Sequence, residues 1–545
     1  MAKKISRFVS GGMVFLLRTS ALFAGVLFAC SCDFPQAAGN GEGSLTVVLP
    51  GEGRSGAARS VLSNGFTQTL RYRITLAGPG ETIERDAAGG SVTVFLRPGV
   101  WAVTVRAWDS AGVLAGTGSE TAVVIPGQPA FISVRMVVDA AYEAALADIY
   151  IHNENELRRI GTDFAIDGSI AFHLENDITL TGPWTPVGNG TTPFSAVFDG
   201  HGHSITINSF ADLSASYLGL FGYTDGAAIK NLKVQCNLGT GVSPLNLAET
   251  GLVYIGALAG YAEDSEFDNI TVSGSIGVTG LPYMAYGGIA GAATTTTTIQ
   301  KSSFTGTLWG KSESSGGGAV AGGIAGNSYG SITECYTSCK VTALGGAAAY
   351  AQAGGITGDG SGSITRCYAW AVVSASNINN SLTVAAGGIS GQGGSISQCY
   401  ALGTVSAAGN GSHPYCYSGG IIGDTVFTGE FVANCAALNT MVTSSDSDKV
   451  RRVKGNGADL SNNFAAPDVG LSGNPTPALD PGAAGKDGET YARAAFKGPS
   501  AGTVYASGSL NWNFTPVTGD WKFISGYDYP ALSWQTLPPG DPLTF

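Results

Sequence analysis

The chain has 545 residues, of which 44% are hydrophobic and only 12% are charged, and its formal net charge is −12. This length exceeds one ordinary core and predicts roughly two to four structural units. The low charge argues against a disordered chain, and an acidic balance without a basic cluster argues against nucleic-acid binding. The 81 glycines favour tightly turned β structure.

The N-terminus has the pattern of a bacterial export signal. Lys3, Lys4 and Arg7 precede an apolar stretch whose uninterrupted part, 19–29, is too short to span a bilayer as a helix. An ordinary secretory signal would have the same pattern. The residues that end the stretch distinguish the two cases.

Those residues, LFAC at 27–30, resemble a bacterial lipobox. The resemblance implies a signal peptide over 1–29 and lipidation of Cys30, with membrane attachment through the acyl chains. Cys32 is a second candidate for the same modification. Ser31 after Cys30 resembles an outer-membrane sorting signal, so we expect an outer membrane lipoprotein of the bacterial cell envelope that is exposed at the surface. A periplasmic location is the alternative.

Short strands follow a polar tether at 30–43. Between 44 and 138, apolar alternation separated by turn residues predicts a small β-sandwich. The Trp-x-Val-x-Val strand that begins at Trp101 resembles immunoglobulin-like and prealbumin-like surface modules, which serve as spacers or as binding domains. Residues 139–190 are expected to form a linker and an N-terminal cap for the next unit, including a short helix capped by Asn153.

Repeated units dominate the region 191–442. A Gly-x-x-Gly motif recurs with apolar anchors that lie 31 to 38 residues apart: Leu220, Leu258, Ile289, Ile324, Ile356, Ile389 and Ile421. No single unit can cover its apolar side. Stacked units would place isoleucine over isoleucine and form one continuous core.

A second element follows each motif. The segments 331–336, 363–368 and 395–400 align without gaps as Ser-Ile-Ser/Thr-x-Cys-Tyr. We expect Cys335, Cys367 and Cys399 to form an inward ladder of buried thiols, with or without disulfides between neighbouring coils. A metal site is disfavoured because CxxC pairs and nearby histidines are lacking.

These repeats resemble the GLUG motif family of bacterial surface proteins, which also occurs as a non-catalytic part of some surface-attached proteases. The resemblance implies an all-β fold, a right-handed parallel β-helix or solenoid related to pectin-lyase-like folds, here preceded by the β-sandwich. Residues 443–500, rich in Ser, Asp, Asn, Gly and Pro, are expected to be irregular loops with one more coil at 460–464. The aromatic-rich stretch within 501–545 is expected to form the C-terminal cap.

Few residues have the pattern of a chemical site. His201 and His203 with Asp199 could hold a metal ion, but the motif has the form of a family turn. The acidic stretch 263–268 lacks the spacing of an EF-hand loop and is interpreted as a solvated turn. The chain contains no nucleophile elbow, HExxH motif or phosphate-binding loop, and no metal or cofactor is expected. We therefore expect a protein that is not an enzyme.

A tyrosine row is the candidate binding surface. Tyr336, Tyr368 and Tyr400 follow the inward cysteines and should point outward, where they would stack on sugars or simply stabilise the coils. The leading hypothesis is an adhesin or ligand-binding protein whose partner is a glycan or a host or cell-surface protein. The alternatives are a polysaccharide lyase or glycoside hydrolase and a purely structural envelope protein.

Overall fold

The computed structural model describes residues 42–49, 70–138 and 147–539, apart from 89, 109–111, 135, 163, 249–250, 281–282, 314, 347, 378–381, 411–414, 426–428, 458, 474–477, 499–501, 507–508, 516–517 and 537–538. The predicted signal peptide and Cys30 lie outside the described residues. The chain divides into two compact units between Glu143 and Ala144. None of the described helices has the length and apolar character needed to cross a membrane.

The first unit is a β-sandwich, as predicted. Its three-stranded sheet has the order Ser91–Leu96, Gly43–Val48 and Pro129–Ser133. Its five-stranded sheet has the order Glu81–Ala87, Arg71–Gly78, Gly99–Trp108, Leu114–Val124 and Met136–Val138. Alternate residues of both sheets, among them Val47, Ile74 and Trp101, are buried in one shared core.

The second unit is a β-solenoid built from three parallel sheets, which confirms the predicted fold class. One sheet has eight strands: Tyr217–Leu218, Leu252–Gly256, Tyr283–Gly287, Ser315–Gly322, Ala348–Gly354, Val384–Gly387, Cys416–Gly419 and Val450–Arg451. Another has seven strands: Phe221–Asp225, Ala259–Glu263, Ala290–Ala293, Ala325–Ser328, Thr357–Asp359, Ser390–Gln392 and Ile422–Asp424. The Gly-x-x-Gly motifs connect these two sheets.

The third sheet is the most extensive, because two strand columns merge where single long strands run through both. Its first part contains Ala147–Ile151, Ile170–Leu174, Ile178–Thr179, Val197–Asp199, Ser204–Ile207, Ala228–Leu238, Leu245–Asn246 and Glu266–Gly280. Its second part contains Thr298–Gln300, Ser303–Ser312, Ser331–Thr333, Tyr336–Gly345, Ser363–Thr365, Tyr368–Asn377, Ser395–Ser397 and Tyr400–Ala408. It ends with Val432–Ala433, Ala436–Ala437, Met441–Ser444, Leu460–Ser461, Phe464–Ala465, Gly470–Ser472 and Glu489–Thr490.

The described helices are short. Two α-helical turns span Glu154–Leu157 and Gly502–Tyr505, and two 3₁₀ helices span Ser447–Lys449 and Arg493–Phe496. Asn153 caps the first helix as predicted, because its side chain accepts a hydrogen bond from the Glu156 N–H. A two-stranded antiparallel sheet pairs Trp521–Lys522 with Ala531–Leu532.

The isoleucine ladder exists as the sequence predicts. Ile324, Ile356 and Ile389 are fully buried. The N–H of Ile324 donates to the carbonyl of Ile356 at 2.8 Å, and the N–H of Ile356 donates to that of Ile389 at 2.8 Å. Ile289 and Ile421 extend the ladder, so like side chains of successive coils share one interior.

Glycines at both ends of each motif permit this close stacking. A Cβ on Gly326 would lie 2.6 Å from the backbone nitrogen of Tyr286, and one on Gly323 would overlap the carbonyl oxygen of Gly355. Any larger residue would push neighbouring coils apart. The motif therefore reflects backbone contact between coils.

The cysteine ladder lies in the core, with Cys335, Cys367 and Cys399 fully buried as free thiols. The N–H of Cys335 donates to Sγ of Cys367 at 3.4 Å, and the N–H of Cys367 donates to Sγ of Cys399 at 3.3 Å. The thiols thus accept hydrogen bonds from inward-turned N–H groups as well as filling space. Burial raises the pKa of Cys335 and Cys399 well above the ordinary thiol range.

The limits of the solenoid differ from the expected 191–442. The strand Ala147–Ile151 already pairs in parallel with Ile170–Leu174, so the stack begins within the segment that the sequence assigns to a linker and cap. The segment 443–500 contributes further pairings, including Leu460–Ser461 with Val432–Ala433. The coil at 460–464 is the one that the sequence predicts within this segment, whereas the pairing of Ala147–Ile151 lies outside the predicted repeats because that strand lacks the Gly-x-x-Gly and cysteine motifs.

Candidate functional site

One corner of the solenoid carries a column of residues in the left-handed backbone region. Their φ angles lie between 47° and 56°, and we call them the corner column: Asn231, Asn269, Lys301, Glu334, Arg366, Gln398, Asn434 and Asn462. A left-handed conformation costs an ordinary L-residue about 1–2 kcal/mol, and asparagine tolerates it best among non-glycine residues. Asparagine is therefore the residue that local structure favours in this column.

The corner column uses asparagine at its two ends only. Asn269 donates to Oδ1 of Asn231 at 2.9 Å, and Asn462 donates to Oδ1 of Asn434 at 2.5 Å. The four central positions carry longer polar side chains instead. The end of the chain contacts Glu334, Arg366 and Gln398 among these positions, and it also contacts Asn434 and Asn462.

The tyrosine row lies beside this part of the column. The rings of Tyr336 and Tyr368 stack with centroids 5.2 Å apart, and those of Tyr368 and Tyr400 stack at 4.8 Å. The side chains do leave the solenoid core. Tyr368 and Tyr400 are nevertheless fully buried, and Tyr336 is half-buried.

Residues 502–536, which we call the C-terminal segment, cover the row. Tyr368 donates to Oε1 of Gln535 at 2.7 Å, and Tyr400 donates to the Pro530 carbonyl at 2.5 Å. Trp521 lies 5.8 Å from the Tyr400 ring. The predicted sugar-binding face of Tyr368 and Tyr400 is thus occupied by the protein's own chain.

The segment differs from the predicted C-terminal cap because it lies along the side of the solenoid. Nε1 of Trp534 donates to the Glu334 carbonyl at 3.0 Å, and Nε1 of Trp512 donates to that of Asn434 at 2.9 Å. Gln398 donates to the Asn511 carbonyl at 2.7 Å. The uncovered tyrosine row would expose a large aromatic patch, and this packing buries it.

A cleft of about 970 Å³ lies between the central corner column and the C-terminal segment. Lys301 and Glu334 line it from the solenoid. The remaining lining residues come from the segment: Tyr505, Ala506, Trp512, Phe514, Thr515, Thr518, Gly519, Asp520, Trp521, Lys522, Phe523, Ser533 and Trp534. This volume is typical of a site for a small ligand.

Partly exposed aromatic rings line the cleft. The rings of Phe514 and Phe523 are stacked with centroids 5.3 Å apart. Phe514, Phe523 and Trp534 are partly exposed, whereas Tyr505, Trp512 and Trp521 are buried. The lining therefore combines accessible ring surface with the hydroxyls of Thr515, Thr518 and Ser533.

Some charged side chains at the cleft form ion pairs or hydrogen bonds, and others do not. Arg366 forms ion pairs with Glu334 at 3.3 Å and with Asp520 at 3.3 Å, which connects the solenoid to the C-terminal segment. Nζ of Lys522 donates to the Ser533 carbonyl at 2.6 Å. Lys301 is exposed, and its ammonium has no hydrogen bond or ion pair with any residue that the structure describes.

The histidine pair belongs to a turn. The N–H of His201 donates to Oδ1 of Asp199 at 3.0 Å, and His201 has a φ of 48°. The His203 ring lies instead 3.5 Å from Asp177. Within the described ranges, no three His, Cys, Asp or Glu side chains are placed to hold a metal ion.

The acidic stretch 263–268 is also divided among separate partners. Glu263 accepts from Tyr223 at 2.5 Å, Asp264 accepts from Thr296, and Glu266 accepts from Gln300 at 3.1 Å. These three carboxylates are each held by a side chain of a neighbouring strand or turn. The stretch therefore acts as a hydrogen-bonded corner of the coil.

Comparisons with known proteins assign the chain to no family. No protein-family model matches the chain, and no curated protein matches it. Among solved structures, it is similar to the crystal structure described as "a putative immunoglobulin A1 protease from Bacteroides ovatus". The identity is 20%, the match covers 71% of this chain and 92% of that one, and the TM-score is 0.36. The resemblance to the GLUG family remains a prediction.

The cleft itself was missed by reasoning from the sequence, although its signal was present. Lys301, Glu334, Arg366 and Gln398 occupy equivalent positions in the aligned repeats, directly before Ser302 or a ladder cysteine. Their departure from asparagine is visible without a structure. The aromatic residues that face them lie more than 100 positions later along the chain and follow no repeat.

Proposed function

We propose that this protein is a carbohydrate-binding protein of the bacterial cell envelope, and that the cleft between the corner column and the C-terminal segment is its binding site. The observation that carries this proposal is the combination of partly exposed rings with hydroxyl and charged groups in one concave site. A sugar offers an apolar C–H face for a ring and hydroxyls for polar groups. The cleft has both kinds of surface.

A small ligand fits the cleft better than a folded protein partner does. The volume of about 970 Å³ lies near the upper end of the range for small-molecule sites, whereas a stable protein interface needs roughly 800 Å² from each partner. Adhesion to a surface glycan would need only a short oligosaccharide in such a site. We therefore favour a glycan over a host protein as the partner.

A binding role without catalysis is part of the proposal. The two carboxylates that line the cleft, Glu334 and Asp520, both face the guanidinium of Arg366. A glycosidase needs one carboxyl group that can donate a proton beside a second that remains ionised. Here a single guanidinium holds both carboxylates in ion pairs at 3.3 Å, an arrangement that leaves neither of them free for a substrate.

Envelope attachment follows from the lipobox-like LFAC at 27–30. Acylation of Cys30 would hold the protein in the outer membrane and leave the solenoid available to extracellular glycans. Metabolic labelling with a fatty acid tests this part, since Cys30→Ser should abolish the label. A label that persists in Cys30→Ser and disappears in Cys32→Ser would move the anchor to Cys32.

The binding site is tested with the purified full chain on an oligosaccharide array, followed by calorimetric titration of the strongest sugar. We expect Phe514→Ala and Phe523→Ala each to weaken binding about tenfold, because each removes ring contact worth roughly 1 kcal/mol or more. Phe431→Ala is the matched control, since Phe431 is 43% exposed and lies outside the cleft lining. Equal affinity in all three variants, or no sugar bound at all, contradicts the proposal.

A further inference from the structure

Lys301 is the one central residue of the corner column that the fold does not explain. It adopts a left-handed φ of 47° where asparagine serves at both ends of the column. Such a position is less favourable for a long side chain than for asparagine. Residues that break a local rule need a compensating contact, and these tend to be functional positions.

The other three central residues have such contacts. Glu334 binds Arg366 and its carbonyl accepts from Trp534, Arg366 forms an ion pair with Asp520, and Gln398 donates to the Asn511 carbonyl. Each of the three residues thereby has at least one contact with the C-terminal segment. Among the described residues, Lys301 has no such partner, although it lies in the same cleft wall as Glu334.

The local charge balance favours an anion at Lys301. The charged residues that line the cleft, Lys301, Lys522, Glu334 and Asp520, sum to zero, and Arg366, which pairs with both carboxylates from outside the lining, adds one positive charge. Arg366 is neutralised by its two carboxylates, and Lys522 already donates to a carbonyl. The available cation is therefore the ammonium of Lys301.

We propose that Lys301 binds the carboxylate of an acidic sugar, such as a uronic or sialic acid, while the rings hold its apolar face. This inference rests on the proposed carbohydrate-binding function of the cleft. A lysine ammonium forms strong charge-assisted hydrogen bonds with carboxylates. One net charge suits a sugar with one carboxylate, whereas a densely sulfated chain would also meet Glu334 and Asp520.

The test uses an array of oligosaccharides that contain uronic or sialic acid, each printed beside its carboxyl-reduced form. The wild-type protein should bind the acidic member of a pair about tenfold more tightly. Lys301→Asn introduces asparagine, the residue found at both ends of the corner column. The variant should therefore keep the fold and lose the preference for the acidic sugar. Lys340→Gln is the control, because Lys340 is exposed and lies outside the cleft lining.

The outcomes separate the two proposals. Equal binding of both members of every pair by the wild-type protein overturns the acidic-sugar inference and leaves carbohydrate binding intact. A preference that survives in Lys301→Asn also overturns the role of Lys301. Absence of binding to all sugars overturns both proposals. Loss of the preference in Lys301→Asn, with the reduced sugars bound as before, supports the inference.

Discussion

Trp521 should decide whether the C-terminal segment stays on the solenoid. It is 2% exposed, stacks on Trp512 at 4.6 Å and contacts the Tyr400 ring at 5.8 Å. Truncation of a buried tryptophan to alanine costs about 3–5 kcal/mol. The described part of the segment contains one short helix, Gly502–Tyr505, and one two-stranded sheet, so we expect its order to depend on this packing. We predict that Trp521→Ala releases the segment while the coils stay folded.

Hydrogen exchange followed by mass spectrometry measures this release directly. A loss of 3 kcal/mol lowers the protection of segment amides about 100-fold, including the Trp512 N–H that donates to the Tyr505 carbonyl. Peptides from 320–370 should keep their protection. Trp309→Ala, on a strand of the solenoid, is the control. Unchanged protection of 502–536 in Trp521→Ala would refute the reasoning, as would simultaneous loss of protection in the coils.

Three further predictions concern the solenoid. Ile356→Ala should lower the free energy of unfolding by about 2–5 kcal/mol and Ile356→Val by about 0.5–1.5 kcal/mol, since Ile356 is fully buried; urea unfolding measures both, and equal midpoints would contradict the ladder. Lys301→Asn should stabilise the fold by up to about 1 kcal/mol in the same assay, and destabilisation would contradict the account of the corner column. Burial, with the nearby Glu430 and Asp424, raises the pKa of Asp359 from 3.8 to about 6. Its folded pKa exceeds its unfolded pKa, so stability should fall by about 2 kcal/mol as pH rises from 4 to 6, and Asp359→Asn should remove this fall. Identical pH profiles of the two proteins would be the contrary result.

The periodic part of the fold could be predicted because stacking repeats the same chemistry. Ile324 stacks on the isoleucine of the next coil, and Cys335 stacks on the cysteine of the next coil. Because each coil needs the same residues for this packing, they recur in the sequence at a regular spacing. A coil without that spacing was missed. The strand Ala147–Ile151 joins the stack through backbone hydrogen bonds, which any side chain permits.

The cleft could not be predicted from the sequence because the residues of its two walls lie far apart along the chain. Trp534 reaches the Glu334 carbonyl across 200 positions of the chain. Alternation correctly predicts that Tyr368 points away from the core, but it does not reveal what covers an outward ring. The predicted sugar-binding tyrosine row is therefore an aromatic surface that the C-terminal segment buries. The same segment supplies the rings that line the cleft.

A co-crystal structure of the protein with the strongest array-selected acidic oligosaccharide tests the proposed site most directly. We predict a sugar ring in contact with Phe514, Phe523 or Trp534, and its carboxylate within hydrogen-bonding distance of Nζ of Lys301. A saccharide bound at another face of the solenoid or on the β-sandwich, with the cleft unoccupied, would contradict the assignment.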